Sequence, residues 1–211
     1  MKNRKKEVSI FFILFYLVGI TGLILPVTFP LFLKLIPFAL VLSFLALILF
    51  HAGDKDKKTL AVLAGIFILG FTVEAFGVKT GVIFGSYHYG RSLGPKLFET
   101  PVLIGLNWLF LVYVTSSVFE KVSIRPVLKI PAASGIMLAY DLVLEQVAPK
   151  LDMWRWELHT APLRNYLAWF GISLFFHIII KGLRIKTQNP LAMVILVLQF
   201  LFFLSLFFIK K

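Results

Sequence analysis

The chain has 211 residues, of which 59% are hydrophobic and 15% charged, with 23 Phe. A water-soluble domain of this size needs far more polar surface, so the solvent for most of the chain is lipid. The 22 Lys and Arg against 10 Asp and Glu cluster between apolar runs, which is the pattern of a membrane protein rather than of a nucleic-acid-binding surface. The absence of cysteine excludes disulfides, thiolate metal sites and cysteine nucleophiles.

A bilayer core of ~30 Å takes about 20 apolar residues in a helix. Seven runs qualify, at residues 8–25, 31–50, 59–76, 101–119, 127–148, 165–182 and 190–209. Backbone polar groups must be satisfied internally in lipid, so the expected fold class is all-α, a polytopic bundle of about seven transmembrane helices. The chain reads as a single integral-membrane domain over 1–211, without low-complexity tracts or internal repeats. The first run follows MKNRKKE; it is long for a signal peptide and lacks a small-residue cleavage site, so it is expected to be retained. The third and sixth runs are short and are expected to extend into the next segment.

The N-terminus and the loops after the second, fourth and sixth spans share one side. They hold Lys2, Arg4, Lys5, Lys6, Lys55, Lys57, Lys58, Lys121, Arg125, Lys129, Lys181, Arg184 and Lys186. The other side, which includes Lys210 and Lys211, holds fewer cations. The positive-inside rule then predicts a cytoplasmic N-terminus in the cell (plasma) membrane. The two longest connections, 77–100 and 149–164, fall together on the opposite face.

Charge inside a span costs about 2.5–3.5 kcal/mol on insertion scales and calls for a reason. Three acids qualify: Glu74 at the end of the third run, and Asp141 and Glu145 in GIMLAYDLVLEQVAPK. Asp141 and Glu145 are four residues apart, on one helix face. Chain direction places all three near the face with the long loops. Asn107 in GLNWLF and Asn165 in RNYLAWF enter their spans from that same face, and Arg91, His88, Asp152, Arg155, Glu157 and His159 lie in the loops. Neighbouring carboxyl groups in a low dielectric do not both ionise easily, so one is expected to keep a proton for use as a general acid. The competing view is that these acids are neutral packing groups.

Gly77, Gly81 and Gly85 repeat at helical spacing, which suits a close helix contact or irregular backbone. SYHYGRSLGPKLFETP adds the alternation of a short hairpin or a surface-lying segment. Trp154 and Trp156 in DMWRWE are expected as interfacial anchors or as the floor of an apolar entrance. His177 lies ~18 Å along its helix from Asn165 and is not expected in the same site. The histidines have no HExxH-type metal spacing.

Three blocks resemble the carotenoid biosynthesis membrane proteins, a family that includes hydratases of the bisanhydrobacterioruberin hydratase type. They are EAFGVKTGVIFGSYHYGRSLGPKLFETPVLIGLNW, AYDLVLEQVAPKLDMWRWE and PLRNYLAWF, in that order, within residues 60–182. The resemblance implies a multi-pass enzyme that adds water across the terminal C1=C2 bond of an acyclic carotenoid, a carotenoid 1,2-hydratase. No cofactor and no metal is expected; the partners are the acyclic carotenoid, water, the lipid bilayer and other enzymes of carotenoid synthesis. The residues themselves suggest Asp141 as proton donor, Glu145 and Glu74 as its acidic partners, and Asn107 and Asn165 to orient water and carboxyls. Tyr87, Tyr89, Trp108 and Trp169 offer aromatic faces to a carbocation, and Arg91 lies beside them in the loop. A proton- or ion-coupled transporter, a cyclase-like end-group enzyme and a non-catalytic carotenoid-binding or scaffold protein remain open as alternatives.

Overall fold

A computed structural model describes residues 2–209; Lys210 and Lys211, counted in the charge balance, lie outside the described residues. Among the described residues, seven helices are long and apolar enough to cross a membrane. They are α1 (Lys2–Ile24), α2 (Phe29–Leu49), α3 (Lys57–Thr80), α4 (Leu103–Lys121), α5 (Pro126–Val147), α6 (Leu163–Gly182) and α7 (Ala192–Ile209). Four short strands lie in the two long connections: β1 (Tyr87–Tyr89), β2 (Lys96–Leu97), β3 (Thr100–Pro101) and β4 (Trp154–Trp156). A single 3-10 turn, Ala148–Leu151, continues α5.

The ends of α3 are written in local chemistry. Asp56 is the N-cap and accepts the backbone N–H of Thr59 at 2.8 Å. At the other end Gly81 takes a left-handed conformation, φ 65°, and its N–H closes on the Gly77 carbonyl at 2.8 Å. The third run therefore does extend, as far as Thr80, whereas the sixth does not and ends at Gly182, as its apolar run does. Pro126 opens α5, where its fixed φ suits the first turn.

Helix α4 is the centre of the bundle. In its most apolar window 67% of residues are buried, against no more than 33% in any other span. It packs against α2, α3, α5, α6 and α7, while α1 lies against α2 and α7. Close approach of α3 and α4 depends on two glycines. A Cβ on Gly70 would sit 2.6 Å from the Trp108 Cβ, and one on Gly105 2.8 Å from the Phe67 carbonyl oxygen. The outward faces are apolar, with Leu14, Val18, Leu49, Leu60 and Ile68 all exposed. In water such a surface would aggregate; in hydrocarbon it is the expected exterior.

The ends of α3 and α5 and the starts of α4 and α6 share one end of the bundle, together with all four strands. β2 and β3 form a local hairpin, Lys96 opposite Pro101 and Leu97 opposite Thr100. β1 does not pair locally. It runs antiparallel to β4, with Tyr87 opposite Trp156, His88 opposite Arg155 and Tyr89 opposite Trp154.

Candidate active site

The β1–β4 ribbon alternates with a period of two. Tyr87, Tyr89, Trp154 and Trp156 are buried, whereas His88 and Arg155 are exposed. All four inward side chains thus project from one face of the ribbon onto the helix ends below. Gly85 makes the approach possible: its φ is 114°, and a Cβ there would meet Pro162 at 2.7 Å and Trp156 at 3.1 Å. The flanks are tied by Gly90 N–H to the Met153 carbonyl at 2.8 Å and by Glu157 N–H to the Ser86 carbonyl at 3.1 Å.

Beneath the ribbon the three acids divide their partners. Glu74 Oε1 accepts the hydroxyls of Tyr87 and Tyr89, the latter at 2.6 Å, and its Oε2 accepts Trp108 Nε1–H at 3.1 Å. Glu145 Oε2 accepts both ribbon indoles, Trp154 at 3.1 Å and Trp156 at 2.6 Å, and its Oε1 accepts Asn165 Nδ2–H at 3.3 Å. The same amide also reaches Asp141 Oδ2 at 3.2 Å. Asp141 is fully buried, and its Oδ1 has no hydrogen-bond partner among the described residues. Burial, and then the charge of Glu74, holds the Tyr87 and Tyr89 hydroxyls well above the ordinary tyrosine pKa. They therefore remain donors over the neutral range.

Trp108 stacks on Trp169 with ring centroids 4.1 Å apart and an angle of 22°, and Tyr87 lies 4.8 Å from Trp156. The acids are thus surrounded by aromatic walls contributed by α4, α6 and the ribbon. Hydrogen bonds to charged groups contribute about 1.5–3 kcal/mol each, and a buried polar atom left unpaired costs about 1–3 kcal/mol. Glu74 and Glu145 satisfy this rule. The free oxygen of Asp141 departs from it, and such departures in a folded protein call for an explanation in water, ligand or chemistry.

Most of the residues singled out in the sequence come together here: Glu74, Asp141, Glu145, Asn165, Trp108, Trp169, Tyr87 and Tyr89. Two do not. Arg91 is exposed, and it is its backbone N–H that bonds, to Asp152 Oδ2 at 3.0 Å. Asn107 faces away from the acids into a neighbouring cavity of about 260 Å³, walled chiefly by apolar side chains of α1, α2, α4, α5 and α7. That cavity also touches Tyr140, Leu144, Gln199 and Trp154, so a single indole ring lines the cavity and hydrogen-bonds Glu145. The donor role of Trp154 and Trp156 was missed in the sequence. Its trace there is the matching aromatic–polar–aromatic triplets YHY and WRW. His177 is buried elsewhere, between Thr115 Oγ1 at 2.9 Å, Ser134 Oγ at 3.3 Å and the Ser173 carbonyl at 2.6 Å.

Residues 35–210 match the family described as carotenoid biosynthesis protein. The chain belongs to that family. Bisanhydrobacterioruberin hydratase of Haloarcula japonica is 28% identical over 125 residues, covering 54% of this chain. That match spans 42% of the hydratase's own length. No solved structure gives a significant match.

Proposed function

We propose that this protein hydrates the terminal C1=C2 bond of an acyclic carotenoid to a tertiary alcohol, by acid catalysis and without a cofactor. The observation that carries the reading is the contrast among the three acids of the site: Glu74 and Glu145 are saturated by their donors, and of the three only Asp141 keeps a free, fully buried oxygen among the described residues. The membership in a carotenoid biosynthesis family and the similarity to a hydratase support the substrate class. The apolar cavity beside Trp154 supports a route for a polyene end held within the bilayer. The bundle is read as one domain of the plasma membrane, its N-terminus in the cytoplasm.

In this reading the end group occupies the cavity and reaches Asp141 past the Trp154 ring. Asp141 gives its proton to C2, the π pair of the alkene forms the new C–H bond, and a tertiary cation develops at C1. The faces of Trp108, Trp169 and Tyr87 stabilise that cation. A water oxygen then bonds to C1. Its surplus proton returns to the Asp141–Asn165–Glu145 group, which restores the acid. Asn107, at the cavity wall, orients the water.

The test is expression in a host that makes lycopene, with pigments read by mass. A product heavier by one water is expected from the wild type, and its loss from Asp141→Asn at equal protein level. Undiminished product from that variant would reject the assignment of Asp141, and a new pigment of unchanged mass would favour cyclisation.

A further inference from the structure

At the opposite end of the bundle a second cavity, of about 560 Å³, opens between the end of α4, the start of α5, the end of α6 and the loop that follows. It contacts none of the acids described above. Its rim carries Lys129, Lys181 and Arg184. Among the described residues there are two ion pairs, Arg155 with Asp152 and Lys186 with Asp54, and neither uses these three cations. Lys129 donates to a backbone carbonyl, that of Glu120, at 3.4 Å. Lys181 and Arg184 are exposed and have no carboxylate within ion-pairing distance among the described residues.

The one acid in the lining, Glu120, spends one oxygen on the loop: its Oε1 accepts Thr187 N–H at 2.6 Å and Thr187 Oγ1–H at 2.9 Å, while its Oε2 is buried with no partner among the described residues. Three cations therefore face one carboxylate. Deeper in, Ser116 also lines the cavity; it is 8% exposed, and its Oγ has no partner among the described residues. A buried hydroxyl without a partner is costly, and a ligand acceptor atom would relieve it.

The remaining wall is apolar, with Phe119, Ile130, Ile180 and Ile185. Cations at the rim, a spare donor inside and hydrocarbon walls match a molecule with an anionic head and an apolar body. This end of the helices also lies where headgroups lie, and on the side that the distribution of Lys and Arg assigns to the cytoplasm.

We propose that this cleft binds the phosphate headgroup of an anionic membrane lipid, with Lys129, Lys181 and Arg184 around the phosphate and Ser116 donating to it. A free phosphate shares the head chemistry but makes no use of the apolar wall. The proposal stands apart from carotenoid hydration and would survive its failure.

The experiment uses the full chain in nanodiscs of phosphatidylcholine with or without phosphatidylglycerol, followed by native mass spectrometry of the lipid that stays bound. The wild type is expected to retain phosphatidylglycerol in preference to phosphatidylcholine. A basic residue near the bilayer surface contributes enough that Lys181→Ala/Arg184→Ala should lower this retention about tenfold or more. Ser116→Ala should lower it severalfold while leaving the apo fold intact. A pair at the other end, Lys34→Ala/Lys79→Ala, should retain lipid as the wild type does. Equal retention of the two lipids by the wild type, equal loss in both paired variants, or undiminished binding by Lys181→Ala/Arg184→Ala would overturn the site. Displacement of phosphatidylglycerol by inorganic phosphate at millimolar concentration would overturn the lipid as its occupant.

Discussion

Gly70 offers a perturbation whose sign can be worked out beforehand. Adding a methyl there puts carbon 2.6 Å from Trp108 Cβ and 2.9 Å from its Cγ, where carbon atoms normally rest ~3.5–4.0 Å apart. Trp108 Cβ is fixed to the backbone of α4 and cannot rotate away, so α3 and α4 must part by about 1 Å. Overpacking of this kind costs about 1–3 kcal/mol. The same shift would stretch the 3.1 Å bond from Trp108 Nε1 to Glu74 Oε2 past useful length. Gly65 lies in the same helix with nothing within 4 Å of its would-be Cβ. There Ala should instead stabilise the helix by about 0.5–1 kcal/mol, by reducing backbone entropy. Thermal unfolding in a mild detergent reads both, each kcal/mol being worth ~2–4 °C in a chain of this size. Gly70→Ala should melt lower and convert less carotenoid, and Gly65→Ala should melt at or above the wild type. A Gly70→Ala protein as stable as the wild type, or a Gly65→Ala protein equally damaged, would refute the packing argument.

The three acids should separate under amide substitution. Asp141→Asn is expected to melt near the wild type but make no hydrated pigment, because its free oxygen loses no donor; Glu74→Gln is expected to lose about 1–3 kcal/mol as well as activity, since one amide oxygen cannot serve three donors. Trp156→Phe and Trp154→Phe each remove an indole donor from the same oxygen of Glu145, so their thermal shifts should be less than additive when combined. Tyr87 and Tyr89 have folded-state pKa values above the unfolded one, so the stability they confer should be complete below about pH 10 and fall as pH rises toward the folded values. Tyrosinate absorbance, compared with Tyr87→Phe/Tyr89→Phe, should show neither group ionising at the ordinary tyrosine value.

The spans were legible because lipid leaves few options. A run such as FPLFLKLIPFALVLSFLALIL satisfies its backbone in hydrocarbon only as a helix, and the observed helix ends lie close to those expected, except that α1 begins at Lys2, well before the expected residue 8, through its basic leading segment. Convergence of Glu74, Asp141, Glu145 and Asn165 was equally legible, since alternating chain direction puts these positions at one end of the bundle. The ribbon was not. Three-residue strands carry almost no pattern of their own, and Tyr87–Tyr89 pairs with residues that follow two intervening helices. Asn107 and Trp108 show the finer limit: adjacent residues on α4 point about 100° apart, so one meets the acid and the other the cavity. No spacing rule distinguishes them without the rotation of α4 about its own axis.

A two-stranded ribbon of three residues per strand is marginal by itself. Here its inward face is anchored by four donor bonds to two carboxyl groups, Tyr87 and Tyr89 on Glu74, and Trp154 and Trp156 on Glu145. The acids therefore hold the cover in place, and the cover in turn keeps them from the aqueous side. Because each carboxyl draws two ribbon donors onto one oxygen, the cover cannot lift without leaving a charge or a polar group unpaired. The Trp154 ring is different in kind. It borders the apolar cavity, and its 3.1 Å bond to Glu145 is the longer of the two indole bonds. In the proposed reaction, swinging that one ring would open the cavity to Glu145 while Trp156 still held the strand, and the apolar chain end would approach the acids from within the bilayer with the ribbon closed above them.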